Sequence, residues 1–117
     1  MKVHKIFSVL AVSCFMLLAA CASSPESVAE RFTESLAKGD IDEAKTYATG
    51  ATGQMLDFAA TVGVVPVDTG FSFILVSSEV EGDHATVVYK GSPDGPQEKL
   101  ELVRIDGEWM VHMQHRK

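Results

Sequence analysis

The chain has 117 residues, sixteen acidic against ten basic, and a formal net charge of −6 at pH 7. That balance excludes a nucleic-acid binder, which neutralises phosphates with clustered lysine and arginine, and it is equally unsuited to an anionic lipid surface. With 46% hydrophobic and 22% charged residues, the length supports one globular core and only marginally two.

Met1 to Lys5 carries two lysines and a histidine, and the run from Ile6 to Ala20 carries no charge. Such a run falls short of the roughly 20 residues that span a bilayer and suits the core of a cleaved export signal. It ends in Leu18-Ala19-Ala20-Cys21. A cysteine directly after Leu-Ala-Ala resembles the lipobox of bacterial lipoproteins. The resemblance implies cleavage between Ala20 and Cys21, a thioether-linked diacylglycerol on the Cys21 sulfur and acylation of the new amino group. Each buried methylene contributes about 0.8 kcal/mol, so two or three acyl chains hold a protein firmly on a bilayer. In lipoprotein sorting, an aspartate after the cysteine favours the inner membrane. Here the residue is Ala22, which implies the periplasmic face of the outer membrane.

Residues 1–20 are therefore read as signal, 21–24 as a lipidated tether and 25–117 as a single domain. Cys14 leaves with the signal and Cys21 is consumed by lipid, so the mature chain keeps no thiol to pair. Loss of Lys2 and Lys5 leaves eight basic against sixteen acidic residues, a net charge near −8. Ala22, Ser23 and Ser24 reach only about 10 Å when extended, which holds the domain close to its membrane.

Ser24-Pro25-Glu26 reads as an N-cap, a proline at the first helical position and an acid in the first turn. Val28, Phe32 and Leu36 recur every four residues, predicting an amphipathic helix over 25–38 that Gly39 closes. Asp40 caps a second helix, with Glu43 completing a capping-box variant and Ile41, Ala44 and Tyr47 or Ala48 on its buried side. A third helix is predicted over 54–62, led by Met55, Leu56, Phe58 and Ala59, with Gly50 to Gly53 as a joint before it and 64–70 as a connector.

Strand patterns follow. Phe71 to Glu81 is rich in aromatic and β-branched residues, and Ala85 to Lys90 alternates after the turn Gly82-Asp83. Ser92 to Pro96 is a turn cluster, and Glu98 to Ile105 and Glu108 to His115 flank the hairpin signal Asp106-Gly107. The expected fold is α+β, with N-terminal helices packed on a curved four-stranded antiparallel sheet.

Lys38-Gly39-Asp40 before a second helix, and Asp106-Gly107-Glu108-Trp109 in a closing meander, resemble the small lipoproteins of the lumazine-binding-like, domain-of-unknown-function type. These belong to the nuclear transport factor 2-like (cystatin-like) superfamily. The likeness covers nearly the whole mature chain and implies a cystatin-like cone, shallow here because the sheet segment is short. It implies no chemistry.

Three histidines survive processing: His84, His112 and His115. His112 and His115 are three apart and so point to opposite faces of one strand. No cysteine joins them, and no metal or cofactor is expected. The cone superfamily includes isomerases and dehydratases, for which Asp57 would be the carboxylate and Tyr47 or Tyr89 the hydrogen-bond donor. Asp57 falls instead on the solvated side of its helix, and neither a nucleophile elbow nor a phosphate-binding glycine loop is present.

Trp109, Val111 and Met113 share one strand face, with Trp109 read as a core anchor and ligand stacking as its alternative. Strict alternation puts Phe71, Phe73 and Leu75 on one face of the first strand, and Ile74, Val76 and Val80 on the other. One face is expected to pack on helices led by Val28, Phe32, Leu36 and Phe58. The other lacks cover, so Phe71, Phe73, Ile74, Val76 and Trp109 are the candidate face for a protein partner, a homodimer or an apolar ligand. The function this suggests is a non-enzymatic envelope lipoprotein that binds or scaffolds near the membrane. The alternatives are an isomerase- or dehydratase-like enzyme and an envelope inhibitor or immunity-type protein.

Replacing Cys21 by Ala is expected to abolish incorporation of labelled palmitate and leave unprocessed or mislocalised protein. Labelling of that variant at the wild-type level would refute the lipidation assignment.

Overall fold

Ser24 starts the first helix as the sequence predicts. The Ser27 N–H donates to Ser24 Oγ at 3.2 Å, and the Ser27 hydroxyl accepts the Ser24 N–H at 3.4 Å, a reciprocal capping box closed by serine. A computed structural model describes residues 23–113; Cys21, the signal segment and His115 lie outside the described residues. Helix α1 (Pro25–Lys38) ends at Gly39, whose φ of 79° places it in the left-handed region. Gly39 donates its N–H to Leu36 O at 3.0 Å, and a Cβ there would meet Val67 Cγ2 at 3.0 Å, so conformation and space both call for glycine.

Asp40 caps α2 (Ile41–Thr46) by accepting the Glu43 N–H at 3.1 Å. Helix α3 (Gly50–Thr61) begins four residues earlier than predicted. Gly50 to Gly53 is its first turn, not a joint. Two glycines disfavour helix by about 1 kcal/mol each, but Thr49 caps this turn, Thr52 is fully buried and Gly53 packs on the stem of Lys45. Tertiary burial overrides propensity here.

Four antiparallel strands follow in the order β1-β2-β3-β4: β1 (Ile74–Glu81), β2 (His84–Lys90), β3 (Gln97–Ile105) and β4 (Glu108–Val111). The described fold is thus α+β, three helices preceding an open antiparallel meander. Asp106 (φ 52°) and Gly107 (φ 82°) are both left-handed, the two-residue geometry that matches the strand twist. β1 starts at Ile74, three residues later than expected, after Phe71 and Phe73 have packed on Tyr89 and Ser72 has bonded Gly91 O at 2.9 Å. β4 is shorter than expected because the chain turns away after His112, and the Met113 N–H goes to Thr52 Oγ1 at 2.9 Å.

The core lies between α1 and one face of the sheet. Val28, Ala29 and Phe32 meet Ala85, Val87, Leu100, Leu102, Trp109 and Val111, and Ala44, Ala48 and Leu56 complete the cluster. Strand register sets this stripe, since Ala85 lies opposite Leu102, Leu102 opposite Val111, and Val87 opposite Leu100. Trp109 is buried here as a core anchor, and the Arg104 guanidinium lies 4.9 Å from its ring centroid. Phe32 is 1% exposed, so Phe32→Ala is expected to lower stability by about 3–5 kcal/mol. Urea unfolding would show this as a fall in midpoint at unchanged slope; a loss below about 1 kcal/mol would mean Phe32 is not the keystone of the core.

Candidate functional site

β1 does not alternate strictly. Leu75 pairs with Tyr89 and Ser77 with Val88, so Val76 is an extra, unpaired residue in a β-bulge. One added residue exchanges the faces of everything after it. Ser78 lies opposite Val87 and Val80 opposite Ala85, which puts both on the helix side with Leu75. The expected set of Ile74, Val76 and Val80 on one face is therefore corrected: Val80 belongs to the other. The outward face of β1 carries Ile74, then Ser77, Glu79 and Glu81, and so is polar beyond the bulge.

The expected helical cover of β1 is corrected too. α1 packs mainly over β4 and β2 and touches β1 only lightly. Phe58 is 70% exposed and covers nothing. Leu75, Val76 and Val80 consequently stand 47%, 43% and 52% exposed, although two of them point to the helix side. Phe71 and Phe73 are half-buried against Tyr89, edge-on at 6.4 Å and stacked at 5.3 Å between centroids. Burial pushes the Tyr89 hydroxyl up from its usual range, helped by the neighbouring Glu98 carboxylate.

Of the five predicted face residues, Phe71, Phe73, Ile74 and Val76 lie in or next to β1 but share no single face, since Phe73 stacks on Tyr89 toward the helices and Ile74 points outward. Trp109 does not join them: β4 is the opposite edge of the sheet, and the indole is 6% exposed in the core. The two edges also differ. β4 is closed by the α2–α3 joint, where Ala48 bridges Val111, Val111 N–H donates to Tyr47 O at 2.8 Å and Thr49 N–H donates to Val111 O at 2.9 Å. Among the described residues no segment closes β1 in this way.

Asp57 is 2.9 Å from Lys45 Nζ on the exposed side of α3, and this hydrogen bond, foremost, holds the Lys45 ammonium above its usual range. Tyr47 lines a different groove and Tyr89 sits in the aromatic cluster, so neither is assembled with Asp57. Among the described residues no three histidine, cysteine or carboxylate side chains converge as metal ligands. His112 Nδ1 instead lies 3.0 Å from Thr49 Oγ1, which donates to Thr52 Oγ1 at 3.1 Å. This partly buried link, unforeseen in the sequence, ties the end of β4 to the start of α3; the spacing Thr49-Gly-Ala-Thr52 was its only signal.

A concavity of about 580 Å³ lies at the start of the described domain, between α1, the end of α2 and the β3–β4 hairpin. Arg31, Tyr47, Glu108 and Trp109 are among its lining residues. No family model, curated protein or solved structure matches this chain.

Glu26, in the first turn of α1, faces the inward Ser78. The Ser78 Oγ is buried and completes no hydrogen bond of regular geometry. It is near enough, with the Glu26 backbone N–H and Ser24, to hold the Glu26 carboxyl below 4.5 despite partial desolvation. A lowered folded-state pKa stabilises the fold above the unfolded value and loses that contribution as pH falls through the folded one. The stability gap between wild type and Glu26→Gln is expected to be constant above about pH 5 and to shrink below pH 4.5. Thermal melts across pH 3–7 with a gap that never narrows would show that this carboxylate is not held by the fold.

Proposed function

We propose that this chain is a non-enzymatic, lipid-anchored protein of the bacterial cell envelope, and that its domain receives an extended apolar segment of a partner protein along β1. Cys21 supplies the anchor, and Ala22 favours the outer membrane, periplasmic side. Helices before a bulged meander support a shallow cone of the cystatin-like kind as the finer architecture.

The observation that carries this reading is the β1 edge, unpaired among the described residues, with Leu75, Val76 and Val80 about half-exposed beside it. An edge strand offers unpaired N–H and C=O groups, and side chains beside it supply specificity when a strand is added. Exposing a large aliphatic side chain forgoes about 1.5–3 kcal/mol relative to burying it. Leu75, Val76 and Val80 are about half-exposed, so together they forgo roughly 2–5 kcal/mol, still a noticeable part of a domain's stability of about 5–15 kcal/mol. Glu79 and Glu81 on the outward face of β1 suit a partner strand that carries basic residues.

Two substitutions separate binding from folding. Val76→Glu changes an unpaired, exposed bulge residue and is expected to alter stability by no more than about 0.5 kcal/mol. Phe73→Glu inserts a carboxylate beside Tyr89 and is expected to cost more than about 2 kcal/mol. In cells, a photoreactive residue at position 80 is expected to give one discrete protein adduct, lost in Val76→Glu. An adduct with a second copy would make the site a homodimer interface, and one with lipid would make it an apolar-ligand site. Absence of any adduct from the folded wild-type background would remove the binding reading.

A further inference from the structure

The groove at the N-terminal end of the domain can be assigned a ligand from its position and its charges, given the lipidated Cys21 on which this inference rests. Ser23 lines the groove, and Cys21 lies only two residues before it. Two extended residues span at most about 7 Å. The polar layer of each leaflet is itself about 5–8 Å deep, half the difference between a bilayer's full thickness and its hydrocarbon core. A groove so close to the anchored residue opens at the depth of the lipid headgroups.

Its lining has both signs of charge. Arg31 projects from α1 and takes part in neither ion pair of the described residues, which are Lys45–Asp57 and Arg104–Asp83. Glu108 lines the same groove from the start of β4. The Ser24 and Ser27 side chains are spent on each other's backbone groups and the Thr46 hydroxyl donates to Glu43 O, which leaves Arg31 and Glu108 as the charged groups available to a ligand. Tyr47 and the margin of Trp109 add aromatic surface, the side-chain type that settles at membrane interfaces and attracts ammonium groups. A volume of about 580 Å³ is of small-ligand size. The mature chain's net charge near −8 disfavours headgroups that are only anionic.

We propose that this groove holds the zwitterionic headgroup of a phospholipid in the leaflet that carries the anchor, Arg31 taking the phosphate and Glu108 the ammonium. The domain then lies on the membrane in one orientation instead of swinging on its tether.

Trp109 is the single tryptophan of the chain and reports on the groove. The mature lipid-bearing protein would be reconstituted into phosphatidylcholine vesicles containing a choline-attached spin label, and quenching of Trp109 fluorescence measured. Strong quenching is expected in the wild type and in Lys99→Gln, a control on β3. At least a twofold reduction is expected in Arg31→Gln and in Glu108→Gln. Intact mass of each sample separates the two levels of the idea: protein without diacylglycerol defeats the lipid-anchor reading itself. Lipid-bearing protein that is unquenched, or equally quenched in both variants, overturns the groove assignment and leaves the anchor standing. Equal quenching by a labelled headgroup in phosphatidylglycerol vesicles would overturn the zwitterion choice. Should either variant fail to fold by circular dichroism, titration of the wild type with glycerophosphocholine decides: shifts at the Arg31 and Trp109 resonances support the assignment, and their absence overturns it.

Discussion

A sheet of four strands about 4.8 Å apart presents a face roughly 19 Å wide, while an α-helix with its side chains is about 10–12 Å across. One fourteen-residue helix must therefore choose which strands to cover, and the seating of α1 is the choice on which the rest of this structure depends. Phe32 and Val28 settle over the stripe Ala85–Leu102–Val111, and α2 and α3 add Ala44, Ala48 and Leu56 to the same cluster. Among the described residues the helical cover falls mainly on β4 and β2 and only lightly on β1. What the described residues leave exposed is set by subtraction: β1 lies at the margin of the core, and Leu75 and Val80 stay about half-exposed although they face the helix layer.

Much of this architecture was legible in the residues. The capping pattern around Ser24 and the glycine at position 39 bounded α1 at both ends, because those signals are local and act through backbone hydrogen bonds of known geometry. Asp106-Gly107 fixed the last hairpin for the same reason. The start of α3 was not legible. Gly50 and Gly53 argue against helix by propensity, and the burial of Thr52 beneath the turning chain at Met113, distant in sequence, joins the Thr49 cap and the Gly53–Lys45 contact in reversing that preference.

The candidate site was half legible. An apolar excess in Phe71 to Val80 pointed to β1, and Phe71, Phe73, Ile74 and Val76 lie in or next to that strand, but on both of its faces. Their assignment to faces failed at one residue, because a bulge leaves no mark in composition and every side chain after it changes sides. Trp109 was separated from the set by strand order, a property of topology that no local pattern carries. The groove beside Arg31 and Glu108 could not be read beforehand, since it joins residues from α1, α2 and the final hairpin that are far apart along the chain.

The seal on the β4 edge also has a temporal meaning. The meander itself is made of hairpins between successive strands, contacts that a chain closes quickly. The bridge from Ala48 to Val111, like the Thr49–His112 link beside it, joins residues 63 positions apart. Such a long loop carries a larger closure entropy than any of the hairpins. The last strand must thus be in place before its outer side can be closed, and until then the β4 edge of the described sheet stays open as well as the β1 edge. The short, four-residue length of β4 limits how much of it can template a wrong pairing during that interval.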